Sequence, residues 1–441
     1  MSVRQVTPLR SLIAGGMKSS AVKVAYLCLH LAVNILLARS LSPAEFGIYI
    51  FGLTIAQLAS VVAQLGLPAS LVKVVATRES EGNADAILGD IQSGVAMVLL
   101  AGGCIGVTLY AVHSLGIFET ATPVDSVLLP SLLLILALAV SAAVSGGIKG
   151  CGNYLLGQVP DELVRPASFF LLVLSASFLA APFTAGVAMQ MHLAAALLAA
   201  VTSVGILHAK RGYPVVLRVD ARNALALARV SVPFLALSGV QALNYQLDVL
   251  MVASLIDAEA LGYYRVAWQI AEGFSIVIYG MSISIMAQVV GLHRSGEHSK
   301  LQAVLVSSHR VVTALTIPAA ACIVLYSTPL LAAVFGAEYV PAKWALTLLV
   351  IGKVAFATVG LSGMVLSMTG HAWSSVKITL GSLAVNLAMG LSLIPFLGIE
   401  GAAIATGVSQ IGAAVLSGLE VRKQLGIDVS AFNLKVRNEH K

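Results

Sequence analysis

Charge is what this sequence has least of. Asp, Glu, Lys and Arg together supply 10% of its 441 residues, against about 25% in an ordinary soluble domain. So few charges cannot clothe a water-soluble surface, and a soluble fold of this length is excluded. Cysteine is scarce too: Cys28, Cys104, Cys151 and Cys322 form no CxxC pair and have no histidine at ligand spacing. Neither disulfides nor zinc is expected. There is no GxxxxGK[ST] phosphate loop, no GxGxxG in a strand-to-helix setting and no HExxH, so nothing indicates an ATP-driven pump or a zinc protease. The polar segments reach about twenty residues at most, short of the ~50 that a catalytic domain needs. The chain is expected to be no enzyme and to hold no cofactor or metal, drawing its energy from gradients or substrate mass action.

What is present is apolar length. The hydrophobic fraction is 58% and the mean hydropathy is +0.94, with runs long enough to cross a ~30 Å hydrocarbon core. Windows of about 20 residues place helices near 17–38, 45–66, 89–113, 127–148, 163–180, 186–207, 230–255, 263–290, 309–330, 343–366, 375–396 and 399–419. The expected fold is therefore all-α and integral to the membrane, with about twelve transmembrane helices. A basic N-terminal stretch superficially fits a secretory signal, but the apolar run continues to Leu37 and a second span follows at once, so it is read as the first helix.

The formal charge of +6 does not indicate nucleic acid, because the basic residues sit in short loops rather than in one patch. Alternate connections hold them: Arg4, Arg10 and Lys18; Lys73 and Arg78; Lys149; Lys210, Arg211, Arg218, Arg222 and Arg229; Arg294, Lys300 and Arg310; Lys377; and Arg422, Lys423, Lys435, Arg437 and Lys441. The opposite connections hold only Arg39, Arg265 and Lys343, at helix edges. By the positive-inside rule both termini face the cytoplasm.

The chain also repeats itself. A shift of about 215 residues maps the first six helices onto the last six, as in repeat-built transporters. The strongest match sets AEFGIYIFGLTIAQ from Ala44 against EALGYYRVAWQIAE from Glu259, aligning Gly47 with Gly262 and Tyr49 with Tyr264. Two like-oriented lobes are expected, 1–208 and 230–441, joined by a cytoplasmic linker over 209–229, with substrate between the halves.

Polar side chains at bilayer depth are costly and mark cavities. Helical spacing puts Lys23, His30 and Asn34 on one face of the first helix, and Gln57, Ser60 and Gln64 on one face of the second. Gln241, Tyr245 and Asp248 do the same on the seventh, and Arg265, Gln269 and Glu272 on the eighth. Lys353 and Asn386 stand alone. Other readings stay open: Lys23 and Arg265 are near enough to helix ends to snorkel, and Asp248 and Glu272 could be paired with basic partners. Single Gln, Asn and Ser residues often only tie helices together. Gly102 with Gly106, and Gly146 with Gly150, have the spacing of close helix packing.

Four stretches carry a resemblance: LLARSLSPAEFGIYIFGLTIAQLASVVAQLGLPASLVK from Leu36, GIKGCGNYLLGQVPDELVRPASFFLL from Gly147 with its Arg165-Pro166 pair, LNYQLDVLMVASLIDAEALGYYRVAWQIAE from Leu243, and LGIEGAAIATGVSQ from Leu397. Together they resemble the polysaccharide flippases of the MOP (MATE-like) exporter superfamily, which move O-antigen and exopolysaccharide repeat units. The resemblance implies a multi-pass protein of the bacterial inner membrane whose two six-helix lobes work by alternating access. The implied cargo is an undecaprenyl-pyrophosphate-linked oligosaccharide, with membrane lipids around it and the polymerase and glycosyltransferases of the same lipopolysaccharide or exopolysaccharide pathway as partners. A desolvated cation beside pyrophosphate makes strong charge-assisted hydrogen bonds. Arg265, matching a basic position early in the eighth helix of related lipid II flippases, is the first candidate; Lys23, Arg39 and Lys353 follow. Gln57, Asn244 and Gln269 would hold the sugar, and Asp248 and Glu272 would couple transport to protons or sodium. In one departure, MSISIMAQVVGLHR from Met281 lacks the proline that relatives often have there. Competing readings are a multidrug or small-cation antiporter of the MATE-like branch, which would want acids dominating its lumen, and a membrane ligase or polymerase.

Overall fold

The computed structural model describes residues 9–116, 122–176, 178, 182–211 and 221–428, with side chains at 21–116, 122–176, 178, 182–210, 223–286 and 288–428. Of the basic residues used above to orient the chain, Arg4, Arg218, Lys435, Arg437 and Lys441 lie outside the described residues, as do 212–220 of the expected linker and the side chains of Arg10, Lys18, Arg211 and Arg222. Among the described residues there is helix and no strand, as a lipid-facing chain must have to satisfy every backbone N–H and C=O within its own segment. Eleven of the helical stretches are long and apolar enough to cross a bilayer. The twelfth expected span, 163–180, is carried by a helix over Arg165–Ala176.

Two compact units divide the chain, the first ending at Leu243 and the second starting at Asn244. The first contains α1 (Leu9–Ser40), α2 (Pro43–Ala63), α3 (Leu67–Glu81), α4 (Ala84–Ser114), α5 (Asp125–Gly150), α6 (Tyr154–Val159), α7 (Arg165–Ala176) and α8 (Ala185–Arg211). Helix α9 (Ala221–Leu255) begins in this unit and ends in the next, so the division falls inside a helix.

At the centre of the first unit is α5, against which α2, α3, α4 and α8 all pack. Its sequence LLPSLLLILALAVSAAVSGG carries no charge and is rich in small residues toward its end, which lets neighbouring helices approach closely, while Leu129 and Leu133 stay exposed. Toward its C-terminal end, a Cβ on Gly146 would lie 2.5 Å from the Pro68 carbonyl oxygen, and one on Gly150 2.7 Å from Val75 Cβ. Glycine there lets α3 approach backbone to backbone. Gly102 and Gly106 differ. A Cβ on Gly102 would meet the end of the Leu136 side chain, and one on Gly106 would meet nothing within 4 Å.

Helix α3 occupies a stretch that reads as a cytoplasmic loop, and the buried set Leu67, Ser70, Leu71 and Val75 gives it one covered stripe. It is set off from α2 by Leu65 at φ 52° and Gly66 at φ 74°. At Gly66 the requirement is double, because a Cβ would also lie 2.4 Å from the Ser231 carbonyl oxygen.

The second unit contains the end of α9, then α10 (Ala258–Arg294), α11 (His298–Leu325), α12 (Ser327–Val334), a 3₁₀ segment (Ala337–Ala342), α13 (Lys343–Ala357), α14 (Ser362–Met368), α15 (Ala372–Leu397) and α16 (Ile399–Leu425). Helix α16 packs on α13 and α15, and α10 on α11 and α13. Ile285, Val289, Leu305, Val312, Val365 and Val421 form part of its core. The helix expected over 343–366 stops at Ala357 and resumes at Ser362, where β-branched Thr358 and Val359 precede Gly360 and lower helix propensity. Large apolar side chains such as Leu100, Val107, Val201, Leu315 and Leu391 are exposed, which suits a surface facing acyl chains.

Candidate functional site

Two polar centres lie inside these apolar units, one in each. In the first unit they start from how α2 and α8 begin. Ser42 caps α2 by accepting the Glu45 N–H at 3.3 Å, with Pro43 at the first helical position. The Glu45 carboxylate then accepts the Ala185 N–H at 2.5 Å at the start of α8, where the positive end of the helix dipole favours an anion. Tyr49 and His192 each lie nearly two turns into their helices, α2 and α8, and the Tyr49 hydroxyl is hydrogen-bonded to His192 Nδ1 at 2.8 Å. Phe169 of α7 stacks on the imidazole with ring centroids 4.5 Å apart.

These groups form one wall of a cavity of about 40 Å³ completed by Tyr26, His30 and Asn34 of α1, Gln57 of α2 and Arg165 of α7. Asn34 is held by donating to the His30 carbonyl oxygen at 2.7 Å, one turn back on its own helix. Arg165 follows a π-helical turn over Pro160–Val164, a local widening of the helix that is common at functional sites.

In the second unit Asp248 of α9 is buried and accepts the Tyr264 hydroxyl at 2.5 Å and, more weakly, the Thr406 hydroxyl at 3.4 Å. Arg265 is 6% exposed, with its guanidinium carbon 4.5 Å from the Trp268 ring centre. Tyr245 meets the same indole edge-on at 4.9 Å. Arg265 Nε is buried without a hydrogen-bond partner, as are Gln269 Oε1 and Asn386 Oδ1. Lys353 of α13 does not stand alone as the sequence suggested: its ammonium donates to Glu272 Oε2 at 2.7 Å and to Ser275 at 3.2 Å. Burial of an ammonium at this depth demands such a counter-charge.

Of the remaining sequence candidates, Arg39 and Asn244 are in neither centre, whereas Lys23 and Gln57 border the first. Lys23 is exposed, pairs with Glu162 at 3.7 Å and sits over the Tyr26 ring at 4.9 Å. Arg39 is exposed in the last turn of α1, and Asn244 is exposed on α9. Gln57 is the proposed sugar ligand that does line the cavity in the first unit. Among the described residues no cluster of three His, Cys, Asp or Glu could hold a metal ion, and none of the four cysteines forms a disulfide.

Sequence reading missed His192 as a site residue, and with it the cavity. A single histidine in AGVAMQMHLAAALL carries no spacing signal of its own. The internal repeat holds one, however. The shift of about 215 that pairs Tyr49 with Tyr264 also brings His192 to Thr406 and Asn34 to Asp248 within a residue. Each unit thus buries a tyrosine hydroxyl against a polar group at matching repeat positions.

Comparison with known proteins follows the same lines. A solved inward-facing multidrug resistance MATE family transporter of the MOP superfamily has the same fold, with a TM-score of 0.72 at 15% identity, covering 92% of this chain and 95% of that one. The lipid II flippase MurJ in an inward closed conformation gives a TM-score of 0.70 at 14% identity over 93% of this chain and 87% of that one. Among curated proteins, the probable low-salt glycan biosynthesis flippase Agl15 of Haloferax volcanii is 26% identical over 163 residues. That match spans 37% of this chain and only 34% of the relative. Residues 13–290 match the profile of the polysaccharide biosynthesis protein family. With well over half of its length matching, this multi-pass membrane chain belongs to that family and has the fold of MOP superfamily transporters.

Proposed function

We propose that the protein is a flippase that moves polyprenyl-pyrophosphate-linked oligosaccharide repeat units across the bacterial inner membrane by alternating access, for surface or exopolysaccharide biosynthesis. The observation that carries this reading is family membership over residues 13–290. A relative described as a glycan biosynthesis flippase and a fold shared with a lipid II flippase support it. In this reading the lobes over 1–208 and 230–441 exchange access, and both termini face the cytoplasm.

Arg265 is the first ligand for the pyrophosphate. Stacking over Trp268 leaves the edges of its planar guanidinium to donate, and a buried Nε without a partner is a donor in reserve. Lys353 is a second cation, released to the cargo only when Glu272 lets it go. Lys23 and Arg39, both exposed, serve the approach of the headgroup. Gln57, Asn244 and Gln269 bind sugar hydroxyls. Asp248 and Glu272 are the coupling carboxylates, because a membrane carboxylate can change its proton or ion as access alternates.

Deletion of the gene tests the reading. Extraction and mass spectrometry of the membrane lipids of a deletion strain should show glycan-loaded polyprenyl pyrophosphate accumulating, and re-expression should clear it. An unchanged lipid profile together with increased sensitivity to cationic drugs would support the multidrug antiporter in its place.

A further inference from the structure

Tyr245 is an exposed aromatic side chain at the middle of a membrane span. It stands ten residues before the end of α9 at Leu255, about 15 Å along the helix at 1.5 Å per residue and so about halfway through a ~30 Å hydrocarbon core. Yet it is 47% exposed. The other exposed tyrosines and tryptophans among the described residues belong to the two interfaces. Tyr110, Tyr154, Tyr326, Trp344 and Trp373 each stand within about one turn of a helix end, and Tyr279 lies about 32 Å along α10 from Ala258. At those depths such side chains anchor a helix among the headgroups.

Tyr245 needs a different explanation. Asn244 precedes it and is exposed too, and an exposed amide at this depth must meet water, because acyl chains offer it no hydrogen bond. This side of α9 therefore faces a wet space. The phenol ring is also set before any cargo arrives. It meets Trp268 in a perpendicular contact, with 89° between the planes and 4.9 Å between the centres, and Trp268 is itself buried. A perpendicular contact covers at most one face of the phenol ring, which leaves the other accessible to a flat guest. The same indole carries the Arg265 guanidinium at 4.5 Å. Cation and phenol ring thus rest on one support, within the span of one monosaccharide and its phosphate.

A sugar ring is such a guest. Its C–H groups carry partial positive charge and gather on one face, while the face of an aromatic ring is negative. We infer that Tyr245 is the platform on which the pyrophosphate-linked sugar stacks, so that the protein selects a pyranose with an unbroken C–H face at that position. The inference rests on the flippase reading, with Arg265 on the diphosphate, and assigns a specificity-determining residue to it. Tyrosine suits the task because a rigid ring loses little conformational entropy when a ligand settles on it.

The test uses the full-length protein in lipid nanodiscs and three probes: undecaprenyl pyrophosphate without a sugar, and the same lipid carrying a single glucose or a single galactose. The wild type should bind at least one sugar-bearing probe about three- to tenfold more tightly than the bare lipid, the scale of an aromatic contact. In Tyr245→Ala that ratio should fall to about one through weaker binding of the sugar-bearing probe alone, a split that a general loss of packing would not produce. Tyr245→Phe should keep the ratio and Tyr245→Leu, which keeps apolar bulk without the aromatic face, should lose it; these two carry the comparison where Tyr245→Ala fails to melt cooperatively. Equal binding of all three probes by the wild type would overturn the inference and leave the flippase reading standing. A ratio that survives in Tyr245→Leu, or that is lost in Tyr245→Phe, would overturn it too. So would equal weakening of all three probes in Tyr245→Ala, which would make Tyr245 a support for Arg265. A wild type that binds none of the probes would remove the flippase reading itself.

Discussion

At the scale of single residues, the buried charges of the second unit divide into two kinds. Lys353 and Glu272 satisfy each other, and removing one partner of such a pair costs about 3–5 kcal/mol because the other is left charged and alone. Glu272→Gln should therefore lower the thermal unfolding temperature markedly. The double variant Glu272→Gln with Lys353→Met should recover most of the loss, which a thermal melt in detergent would register. Asp248 is of the other kind, held by the hydroxyls of Tyr264 and Thr406. Both hydroxyls bond Oδ2, which the amide oxygen of Asp248→Asn can replace, but Oδ1 accepts the Val249 N–H at 3.0 Å, where an amide NH2 cannot accept, so stability should fall by about 1–2 kcal/mol. If Asp248 couples transport to an ion, the same variant should lose the response of transport to a proton or sodium gradient; a preserved response would remove Asp248 from that role. Asp248 and Glu272 were legible in the sequence because a carboxylate in an apolar run is conspicuous. Their partners were not, since Lys353 lies 81 positions from Glu272, a separation that no helical period can reveal.

At the scale of elements, glycine decides where helices can meet. Gly66→Ala has both a positive φ and the Ser231 carbonyl against it, and Gly146→Ala has the Pro68 carbonyl. Each should cost about 1–3 kcal/mol through overpacking, more at Gly66 because of the added backbone strain. Gly106→Ala should be neutral, since nothing stands within 4 Å of its added carbon. Equal losses at Gly106 and Gly146 in thermal melts would contradict the packing described. Both glycine pairs had the same spacing in the sequence, and only one of them brings helix backbones together. Spacing fixes which face of a helix is smooth and leaves open whether a neighbour lies there. The same limit applied to α3, whose Lys73 and Arg78 pointed to a polar loop. Its buried positions at Leu67, Ser70, Leu71 and Val75 were a helical signal, but one too short and too charged for a transmembrane window to detect.

At the scale of the whole molecule, the apolar runs and the internal repeat disclosed the fold class before any coordinates, because a bilayer permits so few architectures. The repeat also foreshadowed the matching tyrosine hydroxyls at Tyr49 and Tyr264, although the His192 cavity needed three dimensions to assemble from α1, α2, α7 and α8. The most direct measurement is leaflet transfer by the purified protein in liposomes. Undecaprenyl-pyrophosphate-linked oligosaccharide is placed in the lipid, and its exposure to a glycosidase added outside is followed over time. The account predicts that the protein speeds exposure of the inner-leaflet pool well beyond protein-free liposomes, and that Arg265→Ala, present at equal density, removes most of that acceleration. A rate equal to that of protein-free liposomes, while the same vesicles exchange small organic cations, would contradict it.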